Sequence, residues 1–113
     1  METVKIEVLP GGRKPEYENG LYKCFLSEDG EIPANTGGLV PIGVRIKIPN
    51  THFINVFSKT LKSLGGVGDS DYRGPMYLII FNNSSEPLKY KKGDQAGFFS
   101  LIKIRTPPIE MVE

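Results

Sequence analysis

The chain has 113 residues, of which 14 are basic and 13 acidic, so its formal net charge at pH 7 is +1. This length predicts a single domain over residues 1–113. The even balance, without a block of like charge, argues against a nucleic-acid partner and against a membrane surface. The longest apolar stretches fall well short of the roughly 20 residues that cross a bilayer. The first residues also lack the form of a signal peptide, so we expect a protein that is not secreted.

Thirteen glycines and nine prolines separate short segments rich in β-branched and aromatic residues, which is typical of an all-β domain. Val4, Ile6 and Val8 alternate with polar residues and predict a half-buried first strand. We expect the prolines and the glycine pair within 32–41 to interrupt regular structure there. The predicted strands are 4–8, 21–26, 44–48, 76–82, 88–91 and 96–105, with turns at 27–30 and 91–94.

Residues 50–64 fit two patterns equally well. Phe53, Phe57 and Leu61 recur at helical spacing after a possible Thr51 cap, which favours an amphipathic helix. Alternation of apolar residues at 54 and 56 would also suit a strand. Both alternatives stay open from the sequence.

The lone cysteine and the lone histidine exclude several chemistries. Cys24 has no partner for a disulfide, and we expect it to be a small, half-buried strand residue. His52 has no second histidine or cysteine nearby, so neither metal-ligand spacing nor a nucleophile–base pair can be proposed. The sequence predicts no metal site from these residues.

The segment 65–74 is the only one that combines glycines, two acids, an aromatic ring and an arginine. If the segment is extended, Asp69 and Asp71 share one face while Ser70 and Tyr72 share the other. The same residue types also build ordinary tight turns, because short polar side chains bond their own backbone. In that alternative the segment is only a hairpin turn.

The stretch Gly66-Val67-Gly68-Asp69-Ser70-Asp71-Tyr72-Arg73-Gly74, followed by an apolar strand, resembles the third motif of the trimeric dUTPase family. The resemblance extends over residues 20–49, between the family's first and second motifs, and over 76–103, through its fourth. It implies a β-barrel of jelly-roll type, also called a β-clip fold, that packs as a three-fold homotrimer. The exposed-looking pairs Phe53-Ile54 and Phe98-Phe99 would suit a subunit boundary.

Active members of the family split dUTP into dUMP and pyrophosphate, with a magnesium ion on the phosphates. By this resemblance, Asp69 matches the carboxylate that activates the attacking water. Tyr72 matches the ring beneath the deoxyribose, and the hairpin backbone around Gly68 matches the part that reads the uracil edge.

Other motifs depart from the family pattern. Lys23 stands where the family has an aspartate, and Phe98 stands where it has a glutamine. The Arg-Ser-Gly turn of the second motif is replaced by 59–61, in which Lys59 could meet a phosphate only as a point charge. The glycine-rich arm of the fifth motif has no counterpart.

These departures favour a non-catalytic, trimeric structural or interaction module, such as a virion decoration, fibre or adaptor. On this hypothesis Asp69 and Tyr72 are vestigial, no metal or cofactor binds, and the partner is another protein or a virion assembly. Asp69, Asp71 and Arg73 would then form a turn and an ion pair at a trimer edge. The protein would reside in the cytoplasm or the virion. One alternative is an active, magnesium-dependent dUTP diphosphatase with Asp69 as its base, in which Lys23 and Lys59 take over charge stabilisation. Another is a deoxyuridine-nucleotide sensor without turnover, which keeps the nucleotide pocket at 68–74. The expected substrate-binding residues are Gly68, Asp69, Tyr72 and Lys59.

Overall fold

The computed structural model describes residues 3–58 and 66–112, and within these ranges it contains β-strands and no helix. The predicted all-β class is therefore confirmed. No helix in the described part of the chain has the length and apolar character to cross a membrane. The strands are β1 (Lys5–Val8), β2 (Glu16–Glu18), β3 (Leu21–Phe25), β4 (Gly30–Ile32), β5 (Thr36–Pro41), β6 (Val44–Lys47), β7 (His52–Phe57), β8 (Val67–Gly68), β9 (Tyr77–Asn82), β10 (Leu88–Tyr90) and β11 (Gln95–Lys103).

The strands form one five-stranded sheet, in the order β2-β3-β11-β7-β8, and three separate pairs. The pairs are β1 with β6, β4 with β10 and β5 with β9, and each is antiparallel. Most partners are far apart in the sequence, so the topology depends on long-range contacts. A continuous core joins the sheet to the pairs through buried residues such as Val40, Ile42, Val56, Leu78 and Phe99.

Strand alternation explains the two apolar pairs that looked exposed in the sequence. Ile54 and Phe99 are buried at 2% and 0% exposure, whereas Phe53 and Phe98 lie on the opposite face and are half-buried. The expectation of two exposed pairs was wrong, because neighbouring residues of a strand point to opposite faces.

Residues 52–57 form strand β7, so the helical alternative is wrong for this part of the ambiguous segment. The strand is fixed by its pairing with β11, in which Ile54 lies opposite Leu101 and Val56 opposite Phe99. Helical spacing of three aromatic and aliphatic residues was outweighed by these cross-strand contacts. Residues 59–65 lie outside the described part of the chain.

The glycine pair in β5 does not interrupt the strand, contrary to the sequence-based expectation. Gly37 and Gly38 pair in register with Phe81 and Ile80 of β9. A Cβ added to Gly38 would lie 3.3 Å from Cγ1 of Ile32, so the missing side chain lets β5 pass closely over the core. Strand β2 was not predicted, because all three of its residues are exposed and carry no apolar pattern.

Cys24 is more deeply buried than expected, with 2% exposure in β3. Burial raises the pKa of its thiol from 9.0 to about 12. Above pH 9 the unfolded chain loses this proton while the folded chain keeps it, so deprotonation favours unfolding. We therefore expect stability to fall as pH rises from about 9 toward 12.

This prediction can be checked by urea unfolding between neutral and alkaline pH. Lysines and tyrosines also titrate in this range, so a Cys24→Ala variant provides the control. The loss of stability with pH should be shallower in the variant than in the wild type. Identical slopes in the two proteins would show that the thiol contributes nothing to the pH dependence of stability.

Candidate functional site

A cavity of about 490 Å³ surrounds the loop that follows β8. We call it the loop pocket. Its lining residues come from β5, β7, the residue before β8, β8 itself, the loop and β9. They are Leu39, Val56, Gly66, Val67, Gly68, Asp69, Asp71, Tyr72, Arg73, Pro75, Met76, Tyr77 and Ile79. The site residues Gly68, Asp69 and Tyr72 thus line one cavity.

Strand β8 forms the inner wall of this pocket. Its two residues pair with β7 at the sheet edge, where Gly68 lies opposite Ile54. The amide of Val56 also donates to the carbonyl of Gly66, at 2.8 Å. Gly68 is buried, and a Cβ added there would lie 3.3 Å from Cε of Met76. The glycine therefore permits close packing of this strand on the core.

The loop turns immediately after β8. The backbone amide of Tyr72 donates to the carbonyl of Asp69 at 3.1 Å, which closes a four-residue turn. The segment is thus not extended, and the simple alternation of Asp69 and Asp71 on one face does not apply. Both carboxylates are exposed, and both line the pocket.

Arg73 stabilises the turn through carbonyl groups. Its Nη1 donates to the carbonyl oxygens of Ser70, at 2.6 Å, and of Tyr72, at 3.0 Å. Within the chain, no ion pair between Arg73 and an aspartate is present among the described residues. The turn alternative is right about the turn, and the ion pair expected at a trimer edge stays a prediction.

The ring of Tyr72 is held at the mouth of the pocket. Its hydroxyl donates to the carbonyl of Pro75 at 2.7 Å, and the residue remains 43% exposed. A Cβ added to Gly74 would lie 2.6 Å from that hydroxyl oxygen. Glycine at 74 thus leaves room for the ring in this orientation. The resulting arrangement offers a flat apolar face beside a carboxylate.

An apolar wall opposite the loop was missed by sequence reasoning. Leu39 of β5, with Tyr77 and Ile79 of β9, is exposed and lines the pocket. The run 76–81 was interpreted as wholly buried because it is continuously apolar. Only alternate residues of β9 face the core, among them Leu78 and Ile80.

Two residues that replace family motif positions lie elsewhere in the sheet. Lys23 of β3 pairs with Glu18, Nζ to Oε2 at 3.0 Å, and lies opposite Phe98 of β11. Phe98 stacks on Phe57, with ring centroids 5.9 Å apart. Strand β3 is three strand positions from β8, which is about 14 Å along the sheet. A single chain therefore does not bring Lys23 to Asp69, and Lys59 lies outside the described residues.

Within residues 3–58 and 66–112, no group of three or more histidine, cysteine, aspartate or glutamate side chains could enclose a metal ion. The pocket's own candidates are Asp69 and Asp71. Two carboxylates suit Mg²⁺ only when water and a ligand's phosphate oxygens complete its octahedral shell. The described residues therefore fit a magnesium ion that enters together with a phosphate ligand.

Comparison with known proteins identifies the family. A family model described as dUTPase matches residues 14–113. The deoxyuridine 5'-triphosphate nucleotidohydrolase of Yarrowia lipolytica is 32% identical over 99 residues, which cover 81% of this chain and 63% of that protein. The protein of the same name from Paramecium bursaria Chlorella virus 1 is also 32% identical, over 80% of this chain and 70% of that one.

The solved structures with this fold include the dUTPase of Staphylococcus bacteriophage 80alpha. It has a TM-score of 0.89 and 17% sequence identity, and the match covers 98% of this chain and 96% of that one. At this identity the likeness supports the fold alone. This chain spans about 60% of the length of the curated relatives from Yarrowia lipolytica, Solanum lycopersicum and Arabidopsis thaliana.

These relatives correct the functional preference drawn from the sequence. The favoured hypothesis was a non-catalytic structural module and not an enzyme, yet the relatives that cover most of this chain are named as nucleotidohydrolases. The replaced motif residues had carried that preference, and they do not outweigh a match over residues 14–113. The expectation that no cofactor is used rested on the non-catalytic hypothesis, so it is no longer supported. This chain belongs to the dUTPase family.

Proposed function

We propose that this protein is a dUTP diphosphatase, which converts dUTP into dUMP and pyrophosphate. The observation that carries the proposal is that Gly68, Asp69 and Tyr72 line one cavity of about 490 Å³. Such a volume lies within the range of about 300–1,000 Å³ that is usual for small-molecule sites. The names of the relatives support the same activity.

Each of these residues receives one role in the proposal. Asp69 acts as the general base that takes a proton from the attacking water. Tyr72 supplies a flat face for the deoxyribose, because its hydroxyl is already engaged by Pro75 and its ring orientation is fixed. The backbone around the buried Gly68 approaches the uracil, since no side chain intervenes.

In this proposal magnesium enters the site bound to the phosphates of the substrate. When bound, the ion neutralises phosphate charge and so facilitates the water's attack. Asp69 and Asp71 are the described carboxylates that could meet its water shell. Lys59, which lies outside the described residues, is proposed as a further contact to the phosphates.

The active unit is proposed to be a homotrimer. Its support is an exposed apolar row on the β5–β9 pair, formed by Leu39, Tyr77, Ile79 and Phe81, with exposures of 60%, 37%, 41% and 39%. Contiguous exposed apolar residues are typical of interaction surfaces. A trimer would also explain how residues of β3 and β11, distant from β8 in one chain, could complete a site on a neighbouring copy.

The test is a titration with dUTP and Mg²⁺ of protein whose oligomeric mass has been measured. The expected result is stoichiometric release of pyrophosphate and dUMP by a trimer. Nucleotide binding without pyrophosphate would contradict the enzyme and support a sensor. Absence of both from a folded protein would reject the nucleotide site altogether.

Gly74→Ala should weaken binding of dUMP by about tenfold, the equivalent of roughly one hydrogen bond. The new Cβ would lie only 2.6 Å from the hydroxyl oxygen of Tyr72. The ring would have to move, which would break the hydrogen bond from this hydroxyl to the carbonyl of Pro75. Calorimetric titration with dUMP would measure the change. Gly37→Ala is the matched control, because its Cβ would meet Phe81 at an ordinary 3.6 Å and Gly37 does not line the pocket. Equal affinity in both variants would reject the role given to the ring.

A further inference from the structure

A second concave surface lies over the β1–β6 pair and has a volume of about 370 Å³. We call it the β1–β6 groove. Its charged lining residues are Lys5, Glu7, Arg45, Lys47 and Arg73. Four cations and one carboxylate therefore face one small volume, in a chain whose total net charge is only +1. Positive charge therefore predominates in this groove of a nearly neutral molecule.

The pairing register separates the balanced charges in this groove from the unbalanced ones. Glu7 lies opposite Arg45, and the two form an ion pair at 2.9 Å. Lys5 lies opposite Lys47, and neither lysine has an ion-pair partner among the residues that the structure describes. Like charges placed directly opposite each other destabilise a strand pair. A bound anion would remove that repulsion.

Arg73 adds directed hydrogen-bond donors. Of its five N–H groups, those on Nη1 bond the carbonyls of Ser70 and Tyr72. Arg73 lines both the groove and the loop pocket. Its remaining edge can therefore meet a ligand while the turn that carries Asp69 stays in place.

We propose that the β1–β6 groove is a binding site for a phosphoryl oxyanion of the pyrophosphate type. Two lysine ammonium groups and an arginine fork suit an anion with several negative oxygens, because each contact is a charge-assisted hydrogen bond. The shared chemistry has two sources. One is free pyrophosphate, and the other is the phosphate chain of a nucleotide whose sugar lies in the loop pocket.

The first experiment titrates pyrophosphate into the whole protein by calorimetry, without nucleotide or metal. The Lys5→Gln/Lys47→Gln double variant should bind at least tenfold more weakly than the wild type. Lys89→Gln/Lys91→Gln is the matched control, since it removes the same charge from exposed positions outside the groove. Its affinity should equal that of the wild type. An equal loss in both variants, or no binding by the wild type, would overturn the proposal.

A second titration separates the two sources by adding a non-hydrolysable dUTP analogue first. If pyrophosphate still binds, the groove takes a free anion beside the nucleotide. If the analogue blocks pyrophosphate and itself binds more weakly to the Lys5→Gln/Lys47→Gln variant, the groove holds the nucleotide's own phosphates. Blocking with equal analogue affinity in both proteins would overturn the proposal. A protein that binds pyrophosphate but no analogue would reject the proposed function while leaving the anion site standing.

Discussion

Replacing Asp69 with asparagine should lower kcat for dUTP hydrolysis by about 10²–10⁴-fold, the usual contribution of a general base. Asparagine keeps the shape of the side chain but cannot accept the proton of the attacking water. The turn should survive, because it is closed by the backbone carbonyl of residue 69 and the amide of Tyr72. Pyrophosphate release under saturating dUTP and Mg²⁺ would measure the loss.

Two further measurements make this test specific. Binding of dUMP should change little in Asp69→Asn, since the proposed role of the carboxylate lies in the chemical step. Asp71→Asn, which removes a charge from the same pocket and the same turn, should cause a smaller loss of kcat. Comparable losses in the two variants would mean that pocket charge, and not a particular base, supports the reaction.

Phe99→Ala should lower the free energy of unfolding by about 3–5 kcal/mol, as expected for a deleted core phenylalanine. Phe99 is fully buried in β11 between its strand partners Tyr22 and Val56. Its ring stacks on that of Tyr22 with centroids 4.7 Å apart and planes 9° from parallel. Removing it would leave a cavity at the centre of the five-stranded sheet. Because whole domains are stable by only about 5–15 kcal/mol, this loss should be evident in a urea titration.

Phe98→Ala provides the control on the neighbouring residue. Phe98 is half-buried and packs on Phe57 at the opposite face of the sheet. We expect its loss to cost about 1 kcal/mol, in line with partial burial of one aromatic side chain. Equal destabilisation by the two variants would contradict partial burial of Phe98. It would mean that the proposed homotrimer buries Phe98 as fully as the single chain buries Phe99.

The sequence predicted the β-class and most strands, because alternation of apolar residues is a local signal. Val44 and Ile46 alternate with exposed residues as expected in β6. The site loop was also found from sequence, since glycines, acids and a tyrosine occur together in 65–74. Strand β2 could not be predicted, because its residues are exposed and it is positioned by its pairing with β3.

The replaced motif residues Lys23 and Phe98 led to the wrong functional preference. Departures at Lys23 and Phe98 suggested lost activity when each position was judged by its side chain alone. In the structure, Lys23 is paired with Glu18 and Phe98 is stacked on Phe57, and within one chain both lie away from Asp69. The effect of such a replacement depends on its distance from the base in the assembled protein, which residue identity alone does not give.

The sequence by itself determined the all-β class, the alternation of strands such as β6 and the segment that carries Asp69 and Tyr72, since these depend on neighbours along the chain. Only the tertiary structure decided that 52–57 is a strand, that β5 continues through its glycine pair, and that Leu39 and Ile79 line the loop pocket. It also placed Lys5 opposite Lys47. The reason is physical: these features depend on which distant strand supplies the hydrogen bonds and on which face meets the core, and neither is encoded in local spacing.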